Sequence, residues 1–589
     1  MNCRKNIFGF TIIASATMLL FTGCKESFLE PEPPGIYSES QLTNRKGVNG
    51  MLIAAYSTLD GPEGTISTGA SNWEWGSMAG GDAYKGTEES DRVDDNPIMR
   101  FELTSGNVLV RDKWNATWDG VGQANQVLKV LPKVTDASDA EKLQMEGEAK
   151  FIRGHHHFEA KKMWNNVPYL DETVTDFKVP NTDGSGNYVN IWPQIEADFK
   201  FAYDNLDEIR PNKGRVNKWA AAAFLAKAYM FQNKFTEAKA LFDVIIANGK
   251  NSDGVKYALM PNYSDNFRVT KENNAETMFS IQASYGDGST TNANYDNILN
   301  YPHGGGVMPG GCCGFFQPSQ SLVNSYKTDV DGLPQIDAFN DVNVTNDENV
   351  LSSAPFTPYL AGNLDPRLDW TVGRRAVPYH DWGAHPGLDW IRKVSYGGPY
   401  SPKKNTYFKA EEGTTGGKVG WGYSANALNY TLMRYADVLL MAAEAEIEVG
   451  SLATALNYIN QVRTRAAGFA PSASAPYSVA ANDASVTWAK YKVGTYASLG
   501  SQADARKIVR FERKLELGME GHRFFDLVRW GIAAVEMNAY LAKEAVRRPT
   551  TLAGTQFTAG KHEYYPIPDF AISQSIKDGA PTLKQNPGY

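Results

Sequence analysis

A chain of 589 residues can bury a large core, and length alone allows several domains. A net charge of −8, with no basic run and no zinc-ligand spacing, gives no expectation of a nucleic-acid partner. Four cysteines exclude a disulfide-dense scaffold.

At the N-terminus, Arg4 and Lys5 precede an apolar run from Ile7 to Phe21 that ends at Thr22-Gly23-Cys24. A basic stretch, a short apolar stretch and a small residue before the break describe a secretory signal, too short to span a bilayer. A cysteine directly after Gly23 is what lipoprotein processing needs, because its thiol accepts the lipid; Phe21 stands where leucine is usual. The alternative is an ordinary signal peptide with an incidental cysteine. The following KESFLEPEPPG is charged and proline-rich and reads as a tether.

Helical periodicity then runs from about 43 to 59, 113 to 131 and 140 to 164. In the second stretch Trp114, Trp118, Val121 and Leu128 share a face, and in the third Phe151, His155, Phe158 and Lys162 lie on neighbouring turns. Consecutive His155, His156 and His157 point about 100° apart on a helix and cannot share one metal, so they read as packed or solvated histidines. Trp219 to Asn248 fits a tetratricopeptide repeat, with Leu225, Ala226, Tyr229, Ala238 and Phe242 at its small and large positions. Ala443, Ala455, Ile459 and Val462 repeat the pattern around Gly450-Ser451-Leu452. Small residues on one helix admit large ones from the next, so such pairs stack, and the earlier helices are expected to complete the stack.

Between residues 250 and 429 the helical period disappears in favour of Gly, Asn, Tyr and Trp. So long a structureless loop is improbable, and a lobe of short helices, small strands and ordered loops is predicted. Near the C-terminus, RKIVRFERKLELGMEGHRFFDLVRWG places Ile508, Phe511 and Leu515 on one helical stripe. Glu512, Glu516 and Glu520 form another; like charges at that spacing repel, so arginines of this helix or of a neighbour are expected to face them. Gly518 and Gly521 allow a break, after which Asp526 stands within reach of Arg523 and Arg529.

These stretches resemble the SusD/RagB family of surface lipoproteins that capture nutrients for TonB-dependent outer-membrane transporters. The likeness rests on the C-terminal signature at 506–531, on YTLMRYADVLLMAAEAEIEVGSLATALNYINQVRTRAAG, and on GEAKFIRGHHHFEAKKMWNNVPYL. The turn Asn363-Leu364-Asp365-Pro366-Arg367-Leu368 and the tail YYPIPDFAISQSIKDGAPTLKQNPGY add to it, with Leu364 a local departure. It implies a mainly α fold, a tetratricopeptide-like stacked helix-pair scaffold carrying a large irregular loop-rich lobe. The expected organisation is a lipoprotein signal peptide (1–23), an acylated tether (24–40) and a helical region with tetratricopeptide-like units (41–249). A ligand-binding lobe (250–429) and C-terminal tetratricopeptide-like helices with the signature tail (430–589) follow. The resemblance further implies lipid on Cys24, an outer-membrane position facing outward, a SusC-like transporter as partner and an oligosaccharide as ligand.

Sugar rings carry an apolar C–H face and a rim of hydroxyls, which flat aromatics with a few polar groups suit; an extended peptide would suit them too. One stacked ring contributes on the order of 1–2 kcal/mol. Two or three, less ordering costs, give affinities of roughly millimolar to micromolar. Candidates are Trp73, Trp75 and Tyr84 in SNWEWGSMAGGDAYKG, set among small residues, and Tyr285, Tyr295, Tyr301, Phe315, Phe316, Trp382 and Trp390 near glycines of the lobe. Each is either part of a platform or a core residue pinning its loop. Cys312 and Cys313, the remaining thiols of an exported chain, either form a vicinal disulfide that lines the ligand groove or stay reduced and packed. No catalytic, metal or cofactor site is expected: the G-x-S-x-G elbow is absent, and GTTGGKV lacks the first glycine and the Ser/Thr of a P-loop. The expected function is glycan capture for a transporter. Oligopeptide capture, as in RagB-type members, and glycoside hydrolysis by paired carboxylates are the alternatives.

Overall fold

The scaffold is a succession of antiparallel helices: α1 (Arg45–Ser57), α2 (Val108–Val130), α3 (Asp139–Trp164), α4 (Trp192–Asn205), α5 (Lys218–Met230) and α6 (Phe235–Asn248). After a long excursion come α7 (Tyr435–Val449), α8 (Leu452–Gly468), α9 (Gln502–Glu516), α10 (Arg523–Arg529) and α11 (Ala533–Arg547). The computed structural model describes residues 39–62, 66–289, 292–419, 422–469 and 486–589. The expected signal peptide, Cys24 and most of the tether lie outside these. Among the described residues no helix is long and apolar enough to cross a membrane.

Polar side chains start most of these helices by accepting the first free backbone N–H groups. Asn44 caps α1, Asn107 α2, Asn217 α5 and Ser451 α8; Ser138 with Glu141, and Ser501 with Asp504, form capping boxes on α3 and α9. From α2 to α7 each helix packs on the next, so the repeat α5–α6 lies directly beside the distant repeat α7–α8. In α5 the alanines at 220–223 are buried and let its neighbours approach closely. The sequence patterns thus mark real helix pairs. They miss α4, although Ile195, Phe199 and Ala202 are spaced for one buried stripe, and they miss α11.

The His155–His157 run is interior. His156 Nε2 lies 3.0 Å from Thr58 Oγ1, and His157 sits 3.0 Å from the Arg153 carbonyl while accepting from Leu170 N–H. Burial lowers all three pKa values, to about 4 for His155 and about 3 for His157, so they are neutral packing groups.

The three glutamates expected on one stripe meet the partners they require, although α9 ends at Glu516 and Glu520 lies in the turn beyond it. Glu512 pairs with Arg367 (2.8 Å) and Arg463 (2.7 Å). Glu516 pairs with Arg367 (2.9 Å), Arg434 (2.5 Å) and Arg465, and Glu520 with Arg434 (2.9 Å) and Lys404 (2.7 Å). Glu276 closes the cluster against Arg434 and Arg465. All these side chains are buried or nearly so. The turn at 363–368 exists to insert Arg367, which is fully enclosed and also held by Asp365 at 2.7 Å. One sequence expectation splits: Asp526 bonds Arg529 and Arg513, while Arg523 reaches Glu536 instead.

Short strands tie the lobe down. β1 (Ala83–Gly86) pairs antiparallel with β3 (Phe315–Pro318), and β2 (Thr277–Ile281) with β6 (Tyr430–Arg434), which runs directly into α7. β4 (Gly416–Val419) and β5 (Tyr423–Asn426) form a hairpin. Phe315, Tyr326, Leu368 and Tyr400 belong to the same core as the helices, so most of the lobe is fused to the scaffold. Two small satellite cores lie under its outer loops.

Candidate functional site

Of the ten aromatics proposed as ligand contacts, eight are interior, which corrects the expectation for each. Trp73 packs 5.3 Å from Phe316 and edge-on to Phe315 at 6.4 Å. Trp75 meets Tyr565 edge-on at 5.0 Å, donates Nε1–H to the Ser67 carbonyl (2.8 Å), and its own carbonyl accepts from Tyr565 (2.6 Å). Tyr84 is fully buried and bonds Glu544. The small residues around them do not leave the rings bare. They let other segments close over them: a Cβ on Gly76 would overlap the Gly521 carbonyl, and one on Gly521, at φ +76°, would overlap Ser71. The signature glycine is needed there for close approach.

Tyr301, Trp382 and Trp390 form a satellite core with Met308, Tyr379 and Tyr407. Tyr301 and Tyr407 stand 5.6 Å apart, and Trp382 Nε1–H donates to the Tyr407 carbonyl at 3.0 Å. Tyr379 and Trp390 meet edge-on at 5.4 Å. These rings stiffen the loops that carry the surface above them.

Tyr285 and Tyr295 remain half-buried. Tyr295 packs with Tyr423 and Val419 on the cluster Ala293–Ile298–Ala425, and a methyl on Gly417 would stand 2.7 Å from the Tyr285 hydroxyl. Both tyrosines therefore border the β4–β5 hairpin. Tyr423, absent from the candidates drawn from the sequence, joins them, and its nearest sequence signal is the preceding Gly422. Burial pushes the Tyr295 hydroxyl pKa up, with Tyr423 adding to it, so the Tyr295 ring is neutral at physiological pH.

Between this hairpin and the rim at Thr87–Asp91 runs the loop from His303 to Gly314, where Cys312 and Cys313 are joined by a disulfide across a cis peptide bond. Both cysteines are half-buried, and Gly304–Val307 is exposed. A methyl on Gly311 would lie 3.2 Å from Cε of Lys418, and one on Gly314 would lie 3.0 Å from Cβ of His303. On the rim Arg392 pairs with Glu88 (2.5 Å) and Asp91 (2.6 Å) and donates to Thr87 Oγ1 (3.0 Å). Burial, then Arg392, lowers the His303 pKa, so the ring is neutral. The result is a surface of tyrosines, glycines and a disulfide with the exposed Lys418 on one side and Arg392, Glu88 and Asp91 on the other, so that its charges nearly cancel. Among the described residues no three His, Cys, Asp or Glu side chains converge as metal ligands.

A concavity lies elsewhere. A cleft of about 530 Å³ opens between α2 and the C-terminal segment, lined by Trp114, Trp118, Leu170, Phe177 and Phe570 and by Gly122. None of the ten proposed aromatics borders it.

A family model described as "SusD family" matches residues 275–589, more than half of the chain. The chain belongs to the SusD family. A second model, described as "Starch-binding associating with outer membrane", matches residues 64–230. A SusD-like protein of Bacteroides ovatus is 23% identical over 601 residues, covering 96% of this chain and 93% of its own length. A SusD superfamily protein from Bacteroides vulgatus superposes with a TM-score of 0.66 at 21% identity, covering 94% of this chain and 99% of that one. Surface glycan-binding protein A from Bacteroides thetaiotaomicron, solved in complex with laminarihexaose, gives 0.59 at 19% identity, covering 92% and 99%. At these identities the structural likeness establishes this chain's SusD fold.

Proposed function

We propose that this SusD-family protein is a non-catalytic receptor, moored to the outer membrane by lipid on Cys24, that captures oligosaccharides at the cell surface. It would pass them to a SusC-like TonB-dependent transporter. The observation that carries the reading is the tyrosine-and-disulfide surface, fused through β1–β3 and β2–β6 to a rigid helical stack. A surface of this kind, its charges nearly cancelling, grips a sugar chain by its C–H faces and leaves its ends free. Affinities of roughly micromolar to millimolar suit cargo that must be handed on. The membrane-associated starch-binding description of the N-terminal match and the laminarihexaose complex of a structural relative support the glycan over a peptide. The three carboxylates on this rim are all paired, Glu88 and Asp91 with Arg392 and Glu89 with Arg100, which argues for binding rather than hydrolysis.

Purified protein should bind members of a panel of neutral oligosaccharides, leave them uncleaved and ignore extended peptides; affinity capture from outer membranes should retrieve a TonB-dependent transporter. Peptide binding without glycan binding overturns the choice of cargo. Turnover of a bound glycan overturns the receptor reading.

A further inference from the structure

We propose that the Cys312–Cys313 disulfide is itself a ligand-contacting element, presenting its two bonded sulfurs to the bare C–H face of a neutral hexopyranose. The inference rests on the glycan-capture reading and assigns that site its central contact.

Position is the first argument. The half-buried pair sits in the loop between the Lys418–Gly422 side of the β4–β5 hairpin and the rim of His303, Thr87 and Arg392. A methyl on Gly311 would be 3.7 Å from the Gly422 carbonyl, and one on Gly314 would be 3.9 Å from both Cβ of Arg392 and Cα of Thr87. A ligand lying from the tyrosines to the rim would cross this loop.

Rigidity is the second. The Cys313 N–H donates to the Leu299 carbonyl (3.4 Å), as does that of Phe315 (3.2 Å), and Gly314 N–H donates to the Tyr301 carbonyl (2.9 Å). Gly310 N–H is held by the Tyr407 hydroxyl (3.1 Å). Phe315 and Phe316, next in the chain, are fully packed against Trp73, and Cys313 itself rests against the main core. A preformed contact loses little entropy when a ligand arrives.

Chemistry is the third. A disulfide has no N–H or O–H to donate, and its sulfurs are polarisable and apolar. It therefore rewards C–H groups and gains little from hydroxyls. Arg392 is neutralised by Glu88 and Asp91, which removes one attraction for an anion. The matching ligand is a ring whose hydroxyls are equatorial, as in β-linked glucose, because both of its faces are bare C–H. An axial hydroxyl, as on galactose C4, covers one of those faces, and on that face it would meet the sulfurs and lose its water without a partner, so only one orientation of the ring still fits.

The test titrates laminarihexaose, with a β-linked galactose hexamer as comparison, into oxidised protein, phosphine-reduced protein and the Cys312→Ser/Cys313→Ser variant. Thermal melting confirms that all three are folded. Loss of one ring-sized contact should weaken laminarihexaose binding about tenfold in the reduced and variant proteins. It should also shrink the preference over the galactose hexamer. Direct contact is read separately: the phosphine cleaves S–S to two thiols and leaves as its oxide, and saturating laminarihexaose should slow that reaction several-fold. Equal affinity in all three forms with unslowed reduction overturns the proposal and leaves glycan capture standing. So does finding free thiols in the exported protein. If the oxidised protein binds no neutral oligosaccharide, the capture reading fails and this inference with it.

Discussion

Glu516→Leu should lower the stability of the fold by about 3–5 kcal/mol, the cost of leaving buried charges without a counter-ion. Glu516 is fully enclosed and meets three arginines drawn from three places: Arg367 from the lobe, Arg434 from β6 and Arg465 from α8. Removing the carboxylate leaves that cluster with an excess of positive charge far from water. Glu276 can still serve Arg434 and Arg465, which is why the expected loss is not larger. Burial alone would push the Glu516 carboxyl up; Arg465, Arg434 and Arg367 outweigh it and hold it well below the usual carboxylate range. A folded pKa below the unfolded one means that the contribution is complete above about pH 5 and is lost as pH falls through the folded pKa. The gap between wild-type and variant denaturant midpoints should therefore be full at pH 7, begin to narrow below about pH 4 and close only as pH falls through the folded pKa. A change under about 1 kcal/mol at pH 7 would show that the cluster contributes nothing net.

Trp75→Ala should cost about 3–5 kcal/mol as well, through lost packing and the cavity it leaves. The indole is 1% exposed, lies edge-on to Tyr565 and bonds the Ser67 carbonyl, so it links the N-terminal loop to the signature tail. At a temperature where the variant is still folded, its glycan affinity should match that of wild type. Weaker binding at unchanged melting temperature would falsify this placement and return the tryptophan to the binding surface.

The scaffold was legible because period and partner requirements are local. Glutamates four residues apart demand cations, and the cations are there, even for Glu520 beyond the end of α9; the tetratricopeptide spacing demands stacked pairs, and α5–α6 and α7–α8 are neighbours. What the sequence does not carry is which segment covers which. Glycines beside Trp73 and Trp75 look the same whether they expose a ring or admit a second backbone, and here they admit Gly521 and Ser71. The same ambiguity hid the satellite core of Tyr301, Trp382 and Trp390. Tyr285 and Tyr295 reach the surface because they border a hairpin that has only a small satellite core beneath it, a fact set by pairing at 416–426 and not by their own neighbours. Arg523 misled for a related reason: Asp526 was near in sequence, but α11 offered Glu536.

The most direct test is a calorimetric titration of the tightest oligosaccharide from the screen into three proteins: wild type, Tyr285→Ala/Tyr295→Ala/Tyr423→Ala, and Gly122→Phe. Gly122 lines the separate cleft, and a Cβ there meets nothing within 4 Å, so phenylalanine fills that space without disturbing α2. The account predicts at least about tenfold weaker binding in the triple variant, equivalent to one lost ring contact or more. Its melting should fall by a few degrees, from packing lost on the satellite core, and leave it folded at the titration temperature; Gly122→Phe should bind as wild type does. Undiminished binding by the triple variant together with loss in Gly122→Phe would place the cargo in the α2 cleft and contradict the account.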